Sequence, residues 1–150
     1  MRLEEEIKQN KKFSNEFEKL AVNILYTSSW LEAQNIQRFK PYGISPQQYN
    51  VLRILRGSSP KPLMLSDISS RMIDKNSNAT RLVEKLRLKG FVKREVCENN
   101  RRQVDIVITS KGLDLLTEID NATDTWGESF KSITKSEAEA LNNALDRLRE

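Results

Sequence analysis

Histidine is absent from this 150-residue sequence. Its absence removes the usual general base, the Ser-His and Cys-His pairs and most transition-metal sites. One cysteine, Cys97, excludes an intrachain disulfide framework. Five glycines and four prolines are too few for long loops or an all-β fold. The glycines (Gly43, Gly57, Gly90, Gly112, Gly127) form no phosphate loop and no dinucleotide fingerprint. No apolar run approaches the roughly 18 residues of a membrane span. The opening stretch MRLEEEIKQNKK lacks the apolar core of a signal peptide. Acidic runs such as EEE (4–6) and EFE (16–18) read as solvated helix faces rather than catalytic carboxylate pairs. The expectation is a cytoplasmic protein without cofactor, metal or enzymatic activity.

What is present is charge, and it is uneven. Charged residues make up 31% and the net charge is +4. Between Arg71 and Arg102 stand ten Lys/Arg against four Asp/Glu, a local +6, so the remainder of the chain sums to −2. Positive charge focused in one block argues for an anionic polymer as partner. The length suits one domain with a real core.

Residues 4–39 contain no glycine or proline, and Phe13, Phe17, Leu20, Ala21, Ile24, Leu25, Leu31, Ile36 and Phe39 recur at steps of three and four. This predicts an amphipathic helix of about 35 residues, too long for one small core and therefore directed at a second subunit. The alternative is a frayed first dozen residues ahead of an ordinary core helix. Pro41-Tyr42-Gly43 ends it. Ser45, Pro46 and Gln48 open the next helix as N-cap, first residue and capping box, with Tyr49, Leu52 and Leu55 inward. GSSPKP (57–62) reads as a loop and LML (63–65) as an edge strand.

Ser66 is then expected to cap a short helix over Ile68 and Met72. DKNSN (74–78) forms a tight turn, and Asn76 or Ser77 caps a second helix carrying Leu82, Val83 and Leu86. Gly90 ends it in the left-handed region. Two short helices joined by a turn make a helix-turn-helix. FVKREV (91–96) and QVDIVI (103–108) read as a hairpin around CENNRR, so the whole is a winged helix. Thr109 or Ser110 caps the following helix, with Leu113, Leu116, Ile119, Trp126 and Phe130 along one side. Thr134 and Glu137 form a capping box for a last helix with Leu141, Leu145 and Leu148.

The second helix of a helix-turn-helix fits the major groove. Its first turns carry Ser77, Asn78, Thr80 and Arg81, residue types that reach bases and phosphates. Ser77 and Asn78 also suit a purely capping role. Arg101 and Arg102 at the hairpin tip suit a narrow minor groove, while Lys75, Lys93 and Arg94 are backbone contacts or solubilising charge.

The stretches LSDIS (65–69), NATRLVEKLRLKGFVKR (78–94) and NRRQVDIVITSKG (100–112) resemble the MarR family of bacterial winged-helix repressors. That family runs T-R-L-V-x-x-L-x-x-x-G-L/F-V-x-R, then a D-x-R wing motif, then L-T-x-x-G. Thr80 to Arg94 match the first, and Arg102, Ile108-Thr109 and Gly112 the rest. The resemblance implies a mainly α fold with a small β-wing. A winged helix-turn-helix lobe over about 45–112 would be joined to dimerisation helices over about 1–40 and 113–150. It implies a homodimer reading a pseudo-palindrome in double-stranded DNA. It also implies a crevice for a small aromatic effector, which by position takes in Tyr26, Trp30, Tyr42 and Tyr49; core packing is the plainer role for each. Two departures stand out. Asn100 replaces the wing aspartate, and the first helix has no cysteine of the peroxide-sensing type. Cys97 lies near the wing, where Lys93 and Arg94 are opposed by Glu95 and Glu98, and it reads as a passive strand residue. Two rivals remain: a winged-helix protein-interaction module, and a redox switch through Cys97.

Overall fold

The computed structural model describes residues 1–97, 99–122 and 126–150, without the side chains of Cys97 and Arg101. Helix α1 is a single turn, Leu3–Glu6, and α2 runs Glu16–Phe39. The expected continuous helix over 4–39 is therefore broken between residues 7 and 15. The cause is local. Asn15 accepts hydrogen bonds from the Phe17 and Glu18 amides, both at 2.9 Å, and caps a fresh helix. Glu18 in turn accepts from the Ser14 amide at 2.6 Å. Leu3 is nonetheless buried, and Glu4 pairs with Lys19 at 2.7 Å, so the first turn folds back on α2.

A 3-10 turn, Lys40–Tyr42, ends at Gly43 in the left-handed region (φ 69°). Helix α3, Pro46–Ser58, opens on the expected Ser45–Gln48 capping box. It runs into the stretch expected as loop, taking Gly57 and Ser58. Strand β1 is Leu63–Met64, α4 is Leu65–Arg71 and α5 is Ala79–Leu88. Ser66 does not cap α4 but lies inside it; Asp67 accepts from the Met64 amide instead, at 3.1 Å. Strands β2, Val92–Cys97, and β3, Asn100–Ile108, follow, and the antiparallel sheet has the order β1-β3-β2. Helix α6 is Ser110–Ala122 and α7 is Lys135–Leu148, the latter on the expected Thr134–Glu137 box. Trp126 and Phe130 lie beyond α6 rather than along it, with Trp126 in the left-handed region (φ 67°).

The core is assembled from Val51, Leu52 and Leu55 of α3, Ile68 of α4, Val83 and Leu86 of α5, Ile106 and Ile108 of β3, and Leu115, Leu116 and Ile119 of α6. Each such side chain stabilises the lobe by about 1.5–3 kcal/mol relative to exposure. Only Phe39 of α2 is buried, and no residue of α7 is. Phe17 (83%), Leu25 (72%) and Leu148 (60%) face outward on these two helices.

Candidate nucleic-acid interface

The turn between α4 and α5 is held by three hydrogen bonds, accepted by two residues. Asn50 of α3 accepts from the Ile73 amide at 2.9 Å. Asp74 accepts from the Asn76 amide at 2.9 Å through its side chain and from the Ser77 amide at 3.1 Å through its carbonyl. The cap of α5 is neither Asn76 nor Ser77 but Asn78, whose side chain accepts from the Arg81 amide at 3.1 Å. The helix starts later than expected, and the Asn76 and Ser77 amides are held by Asp74 within the turn that precedes it. The Ser77 hydroxyl oxygen is buried, with no hydrogen-bond partner among the described residues.

From that cap, Ala79, Val83 and Leu86 point inward while Thr80 and Arg81 stand exposed on the opposite face. Glu84 shares that outer face, one turn behind Thr80. The helix ends in a left-handed Gly90 (φ 81°). The Phe91 amide donates to the Leu86 carbonyl at 3.0 Å and the Gly90 amide to the Arg87 carbonyl at 2.9 Å. That paired arrangement satisfies the last carbonyls of the helix. Lys111 donates to the Lys89 carbonyl at 2.8 Å, and the Thr109 hydroxyl donates to the Gly90 carbonyl at 2.7 Å. The same hydroxyl accepts from the Gly112 amide at 3.2 Å, so one threonine caps α6 and ties it to the end of α5. The orientation of α5 is thus fixed by α3 at one end and by α6 at the other.

The hairpin differs from expectation in its register. Cys97 pairs with Asn100, and Val96 with Val104, so the ladder slips between them. Arg101 and Arg102 are therefore strand residues of β3 at this slip, not loop residues at the tip. Arg102 is exposed; the Arg101 side chain lies outside the described residues. Asn100 accepts from the Arg102 amide at 3.1 Å, a local bond in which a neutral side chain suffices. The cations proposed for backbone contact already have partners. Lys75 donates to the Ser70 carbonyl, Lys93 pairs with Glu95 at 3.1 Å, and Arg94 with Glu84 at 3.6 Å. Glu84 also takes Arg87 through two contacts, 2.6 and 3.0 Å. Hydrogen bonding from Arg87 holds its carboxyl below the usual carboxylate value, with the charges of Arg87 and Arg94 adding to the effect.

The four aromatic residues of the expected crevice do not come together. Tyr49 lines a cavity of about 780 Å³ between α2, α3 and the Met72–Asp74 turn. Tyr26 and Trp30 line a different cleft, under the N-terminal segment. Tyr42 packs against the core and lines neither. The first cavity holds residues that sequence reasoning missed: Arg38, Arg53 and Trp126. The Arg38 guanidinium lies 5.0 Å from the Phe39 ring, 5.7 Å from Tyr49 and 5.6 Å from Trp126. Arg53 donates to the Tyr49 hydroxyl at 3.0 Å. These residues come from three separate segments, and no local pattern announces their meeting. Among the described residues no cluster of three or more metal-ligating side chains occurs, and no helix is long and apolar enough to cross a membrane.

Residues 44–104, from the entry to α3 through most of the wing, match the model of the MarR family. Over that stretch the chain is similar to the MarR family. It is similar to the HTH-type transcriptional regulator PapX of Escherichia coli, 31% identical over 102 residues, covering 67% of this chain and 62% of PapX. It is 28% identical over 92 residues to the transcriptional repressor MprA of E. coli K12, covering 61% of this chain and 52% of MprA. The chain thus spans between half and two thirds of the length of these relatives. A crystal structure of a MarR mutant from E. coli complexed with operator DNA superposes with a TM-score of 0.78 at 20% identity, over 92% of this chain and 99% of that one. At that identity the likeness establishes the fold. In that fold the second helix of the helix-turn-helix, here α5, packs beside strand β2 of the wing.

The cap makes a separable prediction. Asn78→Ala is expected to lower stability by about 1 kcal/mol through loss of the cap. Asn78→Asp keeps the cap and should melt like the parent, yet it places a negative charge on the outer face and should weaken DNA binding. Thermal melting and duplex titration of both variants check this. Equal DNA affinity for Asn78→Asp and parent would remove Asn78 from the interface.

Proposed function

We propose that this chain is a sequence-specific, double-stranded DNA-binding transcriptional regulator acting in the cytoplasm as a homodimeric repressor. Residues 45–112 form the DNA-binding lobe, and the helices within 1–40 and 113–150 form the dimer. The observation that carries the reading is the outer face of α5. Thr80 and Arg81 are exposed on a helix locked at both ends, with the exposed Arg102 on the adjoining wing, inside the stretch that matches the family. Arginine reads guanine bidentately, and threonine contacts either phosphate or base. The apolar side chains left outward on α2 and α7 favour a second copy as their cover. A small aromatic ligand in the cavity beside Tyr49 modulates binding by preferring one spacing of the two lobes. The name of MprA supports repression.

Titration of duplex DNA between about 50 and 200 mM salt tests the reading, because each neutralised phosphate contributes about −0.9 to the log–log slope. The expected result is a steep linear fall in affinity, with the protein sedimenting at twice the 17.4 kDa of one chain. A protein that ignores duplex DNA at the lowest salt would refute it.

A further inference from the structure

The outer face of α5 carries one anion among its cations. Glu84 follows Thr80 by four positions and Arg81 by three, so it sits on the same side of the helix. Its two oxygens are shared between two arginines. Oε1 takes Arg87 Nη2 at 2.6 Å, and Oε2 takes Arg87 Nε at 3.0 Å and Arg94 Nη1 at 3.6 Å. Arg94 belongs to β2, so the carboxylate links the recognition helix to the wing sheet. All three side chains stay open to solvent, at 41% for Glu84, 42% for Arg87 and 48% for Arg94. The cluster therefore has little to do with core stability, since exposed ion pairs contribute weakly. It lies where a DNA-binding face would meet its target.

Resting on the DNA-binding reading above, we propose that Glu84 is a specificity-determining residue. It restrains Arg87 and Arg94 from gripping phosphates indiscriminately and tolerates only a matched site. The chemistry supplies the discrimination. Against generic duplex, held by backbone contacts alone, the carboxylate faces phosphates and repels them, while its two arginines are part-neutralised. In a matched major groove the carboxylate accepts from the exocyclic amino group of a cytosine, the base edge suited to glutamate. The penalty is then offset at one sequence and not at others, which is how a difference of affinities arises.

The test compares parent and Glu84→Gln on two probes: a duplex recovered by selection from genomic DNA, and a scrambled duplex of equal length and composition. Glu84→Gln should bind the scrambled duplex roughly threefold to tenfold more tightly, with a salt slope steeper by about 0.9 for each additional phosphate neutralised. The matched duplex should tighten less, so the ratio of the two affinities falls. Glu84→Ala should move the ratio the same way, and melting curves check that both variants fold. An unchanged ratio, or equal weakening on both probes, would overturn the proposal and leave Glu84 a structural tie. If the parent itself bound neither probe, the DNA-binding reading would fall and this inference with it; a discriminating parent with an equally discriminating variant sinks the inference alone.

Discussion

Arg81→Ala is expected to weaken binding to a matched duplex by on the order of 5- to 150-fold, the equivalent of about 1–3 kcal/mol for one bidentate base contact. The side chain is exposed on the outer face of α5, and no ion pair is seen for its guanidinium among the described residues. Its backbone amide, not its side chain, serves the Asn78 cap, so the substitution leaves that cap in place. Stability should therefore stay within about 0.5 kcal/mol of the parent. Fluorescence anisotropy on a labelled duplex, beside a thermal melt, separates the two effects. Loss of affinity should come with relaxed preference at one base position. Arg102→Ala should behave differently, because a minor-groove arginine responds to groove width rather than to one base edge. Unchanged affinity for both variants would move the chain toward a protein-interaction module.

The second large effect concerns stability. Gly112→Ala is expected to cost about 3 kcal/mol, at the upper end of overpacking, and to lower Tm by roughly 6–12 °C for a chain of this size. Alanine ordinarily favours a helix by about 1 kcal/mol over glycine. Here the sign reverses. A Cβ at this position would stand 2.4 Å from the Phe91 carbonyl oxygen and 2.7 Å from Ile108 Cγ1. The first of these is backbone, anchored by the Thr109 amide at 3.0 Å, and cannot turn aside. The glycine of the L-T-x-x-G motif is therefore explained by a close approach between α6 and the start of the wing, not by an unusual φ. Differential scanning calorimetry checks the prediction. A variant melting at or above the parent would show that the contact relaxes freely.

The reversal at Gly112 illustrates what was legible in the sequence and what was not. Features governed by four or five neighbouring residues came through: the Ser45 and Thr134 capping boxes, the left-handed Gly90, and the order helix, turn, helix, hairpin. The break before α2 had a local signal as well, since Asn15 followed by Glu18 is a helix-start pattern. Lack of glycine and proline outweighed it, wrongly, because a good cap can begin a helix without either. The wing was harder. Alternation predicts two strands, but the slip between Val96 and Cys97 has no signature in residue type. That slip moves Arg101 and Arg102 from tip to strand. The cavity was illegible for a different reason. Arg38, Tyr49 and Trp126 meet only because α2, α3 and the segment after α6 converge. The triple contact of Glu84 lay between these cases: its spacing to Arg87 is readable on a helix, while Arg94 arrives through the sheet.

The central claim is that two copies of α5 read two half-sites. Retention of sheared genomic DNA on the purified protein at physiological salt, followed by sequencing of what is held, tests it most directly. The account predicts a few enriched fragments sharing an inverted repeat, with half-site centres about 10 base pairs apart, one helical turn. Fragments held without any shared sequence, or no retained DNA, would contradict it.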